Sequence, residues 1–289
     1  MQVSGFTIVR NAVKFDYPVV EAIRSILPLC DEMIVAVGRS EDDTLPLIRS
    51  INSPKIKIVE TVWDDSIREG GKLLAVETDK AFKAVSPDSD WAFYIQADEV
   101  LHEKYIPIVK EAMHKWKNDK QVDGLLFNYT HFYGSYDYVA DSRKWYRKEI
   151  RVVRNDKSIS SWRDAISFRR GEKKLCVKPI DAHIYHYGWV KPPQAQQEKQ
   201  KSFHKMWHDD EWVKKNISAG NEFDYRNIDS LRKFAGTHPE LMANRINKKN
   251  WKFDHDLSLK KLSFKTHILH LIEKFTGWRM GEYKNYMIV

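Results

Sequence analysis

The sequence has few cysteines, no long apolar run and no low-complexity linker, and each shortage excludes a class of protein. With only Cys30 and Cys176 in 289 residues, no disulfide framework is expected and a reducing compartment is favoured. No run approaches the roughly 18 apolar residues of a membrane-spanning helix, and the first residues lack the pattern of a signal peptide. The sequence therefore predicts a cytoplasmic protein that meets a membrane only at its surface.

Basic residues, in contrast, are in excess. The chain carries 48 Lys and Arg against 40 Asp and Glu, which gives a formal charge of +8. Such an excess suits a nucleic acid, an anionic membrane surface or a phosphorylated small molecule. The basic and aromatic residues are dispersed and form no standard nucleic-acid-binding motif. No nucleic acid partner is therefore expected, and a basic nucleic-acid-binding protein is kept as the non-enzyme alternative.

The first half of the chain alternates strand and helix patterns. Strands are predicted where apolar, β-branched residues run together, at residues 5–9, 33–37, 56–61 and 91–97. Helices are predicted where apolar residues recur at helical spacing, at residues 17–29, 45–51, 72–85 and about 104–117. This alternation indicates an α/β fold with a mostly parallel sheet flanked by helices.

Polar residues follow three of the predicted strands. In sheets of this kind, ligands bind outside the carboxyl ends of the strands. These ends carry Arg10 and Asn11, the turn at residues 38–43, and the pair Asp98 and Glu99. We therefore expect these residues to share one site at one rim of the sheet.

The pair Asp98 and Glu99 is the strongest chemical signal, since two carboxylates directly follow an apolar strand. Hard divalent cations prefer oxygen ligands. A cation held here could bridge phosphate oxygens and neutralise the charge on a diphosphate leaving group. The alternative is that both acids cap the helix that follows, because acids favour helix N-termini.

The segment Asp90-Trp91-Ala92-Phe93-Tyr94-Ile95-Gln96-Ala97-Asp98-Glu99 resembles the strand that carries the metal motif, often Asp-Ala-Asp, of family 2 GT-A glycosyltransferases. The resemblance covers roughly residues 3–202. It implies a GT-A (Rossmann-like) fold and a nucleotide-diphosphate sugar donor, with Asp98 holding Mn²⁺ or Mg²⁺. Gln96 departs from this pattern, because an aspartate is usual there and an amide brings no charge. Glu99 is expected to compensate in part.

The same resemblance implies most of the remaining donor contacts, and Lys72, just after Gly70-Gly71, is expected to meet phosphate at a helix N-terminus. Arg10 and Asn11 fall where the first strand approaches the nucleotide, and an acid after the second strand meets the base. The expected donor-binding residues are Arg10, Asn11, Gly38, Asp42, Asp43, Lys72, Asp79, Gln96, Ala97 and Asp98. For Lys72 and Asp79, a place on the surface of a helix is the alternative.

A second cluster is His183-Ile184-Tyr185-His186-Tyr187-Gly188-Trp189. A neutral imidazole is a common metal ligand. In similar glycosyltransferases a His-Tyr-Gly segment returns to the metal and the diphosphate, which implies His186 as a ligand beside Asp98 and Glu99. The alternative is a histidine that packs in an aromatic region.

Asp164, in Ser161-Trp162-Arg163-Asp164, lies where the family places its catalytic base. In an inverting transfer, one carboxylate takes the proton of the acceptor hydroxyl as that oxygen attacks the anomeric carbon. The usual Glu-Asp or His-Glu pair is missing here, and a surface aspartate near a turn is the alternative.

The later chain changes in character. Strands are predicted at residues 124–132, 146–154 and 167–170, joined by aromatic-rich loops that suit a sugar acceptor or the core. The resemblance implies a catalytic domain at residues 1–202, with a nucleotide-binding half at about 1–120 and an acceptor half at about 121–202. Residues 203–289 are expected to form a helical, basic extension.

The expected function is the transfer of a sugar to a glycan or lipid-linked acceptor in surface polysaccharide synthesis. The basic amphipathic segment at residues 257–278 either packs on the catalytic domain or lies on an anionic membrane. In the second case the protein would be peripheral, at the inner face of the cell membrane. A nucleotidyltransferase is one alternative, although no glycine-rich loop follows the first strand. A catalytically inactive sugar-nucleotide-binding relative is another, because of Gln96.

Overall fold

The computed structural model describes residues 1–289, and its first 120 residues alternate strands with helices. The strands are β1 (Val3–Val9), β2 (Glu32–Gly38), β3 (Ile56–Thr61) and β4 (Trp91–Tyr94). The helices are α1 (Val19–Ile26), α2 (Thr44–Arg49), α3 (Lys72–Lys83) and α4 (Ile106–Trp116). The strands and helices predicted for this half are confirmed, with ends that move by a few residues.

These four strands form a parallel sheet covered on both faces. Strand β1 pairs with β2 on one side and β4 on the other, and β3 pairs with β2. Alternate residues of β2 face opposite layers: Val35 packs in the core with α1 and α4, and Ile34 packs in the core with α3. Burial on both faces explains the continuous apolar runs. The predicted α/β class is confirmed.

The second half of the sheet is mostly antiparallel. Its strands are β5 (Glu99–Leu101), β6 (Gly124–Tyr133), β7 (Ser135–Ala140), β8 (Lys148–Arg154), β9 (Ile159–Trp162), β10 (Ser167–Arg170) and β11 (Lys173–Trp189). Strand β8 runs antiparallel between β4 and β6, and the full order is β3-β2-β1-β4-β8-β6-β11-β10-β9. The mostly parallel sheet that the sequence predicts is therefore parallel in its N-terminal half, and antiparallel strands extend it.

The C-terminal residues return to the same sheet. They form helices α5 (Pro193–His204), α6 (Asp210–Asn216), α7 (Ala243–Asn247) and α8 (Phe264–Thr276), and strands β12 (Leu231–Lys233) and β13 (Tyr286–Ile288). Strand β12 pairs with β7, and β13 pairs with β11. The extension predicted as helical thus also contributes two strands. None of the helices has the length and apolar character to span a membrane.

A buried ion pair lies where the two halves of the sheet meet. Glu99 and Arg151 both have side chains that are 0% exposed, with Nη2 2.7 Å from Oε1 and Nε 2.9 Å from Oε2. The hydroxyl of Tyr129 donates to the same carboxylate at 2.7 Å, and the backbone N–H of Gln96 at 3.1 Å. This corrects the expectation that Glu99 helps to bind a metal, because its two oxygens are already occupied.

We expect Glu99→Gln to lower the free energy of unfolding by about 3–5 kcal/mol, because it leaves the guanidinium of Arg151 buried without a counter-charge. Urea unfolding followed by tryptophan fluorescence measures the loss. The double variant Glu99→Gln, Arg151→Met removes both charges and should lose less than the single variant. A single variant that unfolds at the wild-type urea concentration would contradict this role.

Candidate active site

A cleft of about 620 Å³ opens at the carboxyl ends of β1 and β4. This is the point where the strand order reverses direction, with β2 on one side of β1 and β4 on the other. Open α/β sheets bind their ligands at such points. Helix α5 and the loop after β9 form the other walls. The volume lies in the range of small-molecule and cofactor sites.

Seven residues predicted for the site line this cleft together. They come from four separate segments and are Arg10, Asn11, Gln96, Ala97, Asp98, Asp164 and His186. The expectation that polar residues at the carboxyl ends of the strands share one site therefore identified residues at the floor of the cleft. Their roles in binding and catalysis stay predictions.

The other predicted donor contacts lie outside the cleft lining. Gly38 is buried against the ring of Trp63, which leaves no room for a Cβ. Asp42 accepts from the backbone N–H of Lys14 at 2.7 Å and so shapes the loop before α2. Asp79 accepts from the backbone N–H of Ser161 at 2.7 Å and joins α3 to β9. The side chains of Asp42 and Asp79 therefore already have structural partners.

Lys72 and Asp43 are also outside the lining. Both are exposed at the start of a helix, Lys72 as the first residue of α3 and Asp43 just before α2. For Lys72, the alternative of a solvated helix residue fits the structure. Neither side chain lines the cleft, and contact of the two residues with the donor stays a prediction.

Asp98 is buried at the bottom of the cleft, beside two groups from distant segments. The ammonium of Lys199 lies 3.0 Å from Oδ2, and Nε2 of His186 lies 3.7 Å from Oδ1. Burial alone would raise the pKa of Asp98, but the adjacent ammonium of Lys199 holds that pKa well below its usual range. Asp98 is therefore an anion.

The backbone brings His186 to this place. Strand β5 pairs antiparallel with β11, and His186 is directly opposite Glu99, the residue after Asp98. The backbone N–H of Tyr187 donates to the carbonyl of Asp98 at 2.8 Å. Two residues separated by 88 positions in the chain thus become neighbours through one pair of strands.

A chain of hydrogen bonds fixes which nitrogen of His186 carries hydrogen. Nε2 of His131 lies 2.8 Å from the carbonyl of Tyr146, which only accepts, so this nitrogen is the donor. Burial holds the pKa of His131 well below its usual value, so its Nδ1 is an acceptor. Nδ1 of His186, 3.1 Å away, must then donate to it. Nε2 of a neutral His186 faces Asp98 as a lone pair.

The loop that carries Asp164 has an unusual backbone. Arg163 and Ala165, on either side of Asp164, have φ values of 55° and 60°. Such angles are uncommon outside glycine and cluster at functional sites. Two side chains hold the loop: the amide nitrogen of Gln96 donates to the carbonyl of Ala165 at 3.1 Å, and Arg151 donates to the carbonyl of Ile166 at 3.0 Å. Burial raises the pKa of Asp164.

Several cleft residues were not predicted, and Lys199 is the most important of them. It lies on α5, 101 positions from Asp98, and no local motif marks it. Its ammonium also donates to the carbonyl of Gly188 at 3.1 Å and lies 5.1 Å from the ring of Tyr17. Burial opposes the charge, but Tyr17 and Asp98 raise the pKa of Lys199 above its ordinary value. It is therefore an ammonium.

The residues of the cleft do not fit a resident divalent cation. Nowhere in the structure do three His, Cys, Asp or Glu side chains form a group that could hold a metal. Asp98 and His186 are two candidate ligands, but the carboxylate is already paired with an ammonium, so the local charges cancel. Gln96 has its amide nitrogen on a backbone carbonyl, and Glu99 is paired with Arg151.

Comparisons with known proteins give a distant likeness. No protein-family model matches the chain, and no curated protein matches it. The chain is similar to S. aureus TarS 1-349 in complex with UDP, with 14% identity over 76% of this chain and 68% of that chain and a TM-score of 0.40. It covers 39% and 64% of the chains in two other structures of S. aureus TarS.

Two further structures show a likeness of the same order. One is the glucosyl-3-phosphoglycerate synthase from Mycobacterium tuberculosis in complex with Mn²⁺, UDP and phosphoglyceric acid, at 18% identity over 45% of this chain and 43% of that chain, TM-score 0.31. The other is the 4-diphosphocytidyl-2C-methyl-D-erythritol synthase from Anaerococcus prevotii, at 12% identity over 66% and 89%, TM-score 0.38. A likeness at this level does not define the family of the chain, whose own contacts carry the assignments that follow.

The absence of a side chain at Gly188 is a testable part of this geometry. A Cβ there would come within 2.6 Å of Oδ2 of Asp98 and 2.7 Å of Nε2 of His186. We expect Gly188→Ala to lower the free energy of unfolding by about 1–3 kcal/mol, as overpacking does. The control Gly220→Ala, in an exposed loop, should stay within about 0.5 kcal/mol of wild type. Equal urea midpoints for the two variants would contradict the close approach.

Proposed function

We propose that this chain is a glycosyltransferase with a GT-A arrangement, which moves a sugar from a nucleotide-diphosphate donor to a hydroxyl group. The observation that carries the proposal is one cleft, at the switch point of a parallel sheet, that holds a buried carboxylate, Asp98, and a partly buried one, Asp164, in different electrostatic states. Asp98 is paired with an ammonium, and the pKa of Asp164 is raised by burial. Two carboxylates whose surroundings push their pKa values in opposite directions suit two different roles. Asp98 suits a place beside the leaving group, and Asp164 suits the base.

The nucleotide end of the donor is assigned to the mouth of the cleft near β1. The guanidinium of Arg10 is paired with Asp65 at 2.6 Å and lies 5.5 Å from the ring of Trp63. Asn11, at φ 55°, accepts from the backbone N–H of Glu41 at 2.9 Å. These contacts supply a planar cation and fixed polar groups at the place where the first strand ends. They support a nucleotide at this place.

The chemical step is assigned to Asp164. Its carboxylate takes the proton of the acceptor hydroxyl as that oxygen forms a bond to the anomeric carbon. The bond from the anomeric carbon to the diphosphate oxygen breaks on the opposite face, and the nucleoside diphosphate leaves with the electron pair. The result is an inverted centre. A raised pKa makes Asp164 a better base than an exposed aspartate, and Gln96 and Arg151 hold its loop in place.

The proposed reaction is a hexosyl transfer to a hydroxyl of a glycan or of a lipid-linked acceptor, in surface polysaccharide synthesis. Its proposed location is the cytoplasmic face of a membrane. Helix α8 supports the membrane contact, because none of its residues is buried and Phe264 and Phe275 are each 81% exposed. Basic residues accompany this apolar face, at Lys260, Lys261, Lys265 and Lys274. Basic amphipathic helices of this kind lie on anionic lipid.

Calorimetry with UDP-, GDP- and dTDP-sugars tests the proposed function. We expect one nucleotide class to bind, at a dissociation constant in the micromolar range, on the order of 1–100 μM. Each titration is run in buffer with EDTA and again with added Mn²⁺, so that a need for metal is not mistaken for failure. If no nucleotide sugar binds under either condition, the glycosyltransferase assignment is wrong.

Asp164→Asn tests the base. We expect kcat to fall by about 10²–10⁴-fold, because a general base contributes that much, while the dissociation constant for the donor stays unchanged. The control Asp88→Asn changes an exposed aspartate outside the cleft and should keep full activity. In wild type, kcat should fall as the pH drops through the raised pKa of Asp164, at higher pH than an exposed aspartate would give. Normal turnover by Asp164→Asn would remove this residue as the base.

A further inference from the structure

Lys199 lies next to Asp98 at the floor of the cleft. It is 9% exposed and belongs to the lining of the cleft. Two of its contacts fix the ammonium: Oδ2 of Asp98 at 3.0 Å and the carbonyl of Gly188 at 3.1 Å. An ammonium has three N–H donors, so one remains for a ligand in the cleft.

The groups around Asp98 suit a singly charged ammonium in a fixed position better than a divalent metal ion. The two oxygens of Asp98 face an ammonium and an imidazole, so the carboxylate brings no surplus negative charge for a metal. Gln96 adds none, and its amide nitrogen is used to hold the carbonyl of Ala165. A divalent ion bound to Asp98 would also lie close to Lys199 and be repelled by it in a buried, weakly screened place.

We infer that the ammonium of Lys199 is the resident cation of this site, which binds the diphosphate of the donor directly and makes donor binding independent of a divalent metal. This inference rests on the proposed function, since it names the group that binds the donor's leaving group. Asp98 then acts as the residue that orients Lys199 and keeps it charged. Charge-assisted hydrogen bonds from ammonium to phosphate are among the stronger polar contacts in proteins.

The neighbouring positions on α5 support a phosphate in the same place. Lys201 on α5 and Lys205, the residue directly after the helix, also line the cleft, so this segment presents three lysines to it. Lys201 is paired with Glu198 on the same helix at 3.2 Å. Of the three, Lys199 is the one held at the floor by contacts from two other segments. It is therefore the lysine whose position is set before a ligand arrives.

His186 gives the competing arrangement, which the experiment must separate. Its Nε2 lone pair and Oδ1 of Asp98 are two acceptors 3.7 Å apart. In a metal-dependent site these two atoms would share a divalent cation. In the arrangement inferred here, Nε2 instead accepts a hydrogen bond from a hydroxyl of the bound donor. The two arrangements differ in their response to EDTA and to the loss of Lys199.

The test is calorimetry of uridine diphosphate, or of the nucleoside diphosphate whose sugar bound in the panel above, in EDTA and in Mn²⁺ or Mg²⁺. We expect the wild-type dissociation constant to change by less than about threefold between these buffers, and Lys199→Met to raise it by about tenfold or more in EDTA, as truncation of a buried charged contact does. Lys199→Arg, which keeps the charge, should recover part of the loss. The control Lys215→Met, on the exposed side of α6, should bind as wild type does.

Lys199→Met leaves Asp98 without its counter-charge, so the double variant Asp98→Asn, Lys199→Met is measured beside it. The double variant should fold, by circular dichroism and thermal melting, and still bind the diphosphate weakly in every buffer. Binding by wild type only when Mn²⁺ or Mg²⁺ is added would overturn the inference and leave the proposed function intact. Tight binding by a folded double variant in EDTA would also overturn it. If no nucleotide binds to wild type in any buffer, the proposed function itself is wrong, and the role of Lys199 is not the cause.

Discussion

The buried pair of Glu99 and Arg151 is the interaction on which the cleft depends. Its two charges, each 0% exposed, hold one another and also bind the backbone of Gln96 on one side and of Ile166 on the other. Asp98 precedes Glu99, and Asp164 lies two residues before Ile166. The same ion pair therefore fixes both carboxylates of the site. Removing either charge would disturb the floor and the wall of the cleft together.

Much of the fold follows from the sequence, because strands buried on both faces must be continuously apolar. The residues at strand ends were found for the same reason, since parallel strands bring their carboxyl ends to one rim. Glu99 shows where this reasoning stops. It has the same chemistry as Asp98 beside it, and its place inside the sheet is decided by Arg151, 52 positions later. Lys199 reaches Asp98 from 101 positions away, so no local pattern announces it.

Gln96 acquires a meaning that its residue type alone did not indicate. As a replacement for an acid, it was the reason to expect a weakened metal site. In the structure its amide holds the carbonyl of Ala165, next to Asp164, across 69 positions of the chain. A carboxylate could not donate that hydrogen bond. The same exchange lowers the negative charge of the floor and positions the loop of the proposed base, which agrees with a site whose resident cation is an ammonium.

The central claim is that a nucleoside diphosphate binds in this cleft with its phosphates at Lys199. A crystal structure of the protein grown with uridine diphosphate and EDTA, or with the nucleotide that calorimetry selects, tests it most directly. The account predicts a phosphate oxygen within hydrogen-bonding distance, about 2.7–3.2 Å, of the ammonium of Lys199, with the nucleoside toward Arg10 and Asn11. A nucleotide bound outside the cleft, or one whose phosphates lie away from Lys199, would contradict it.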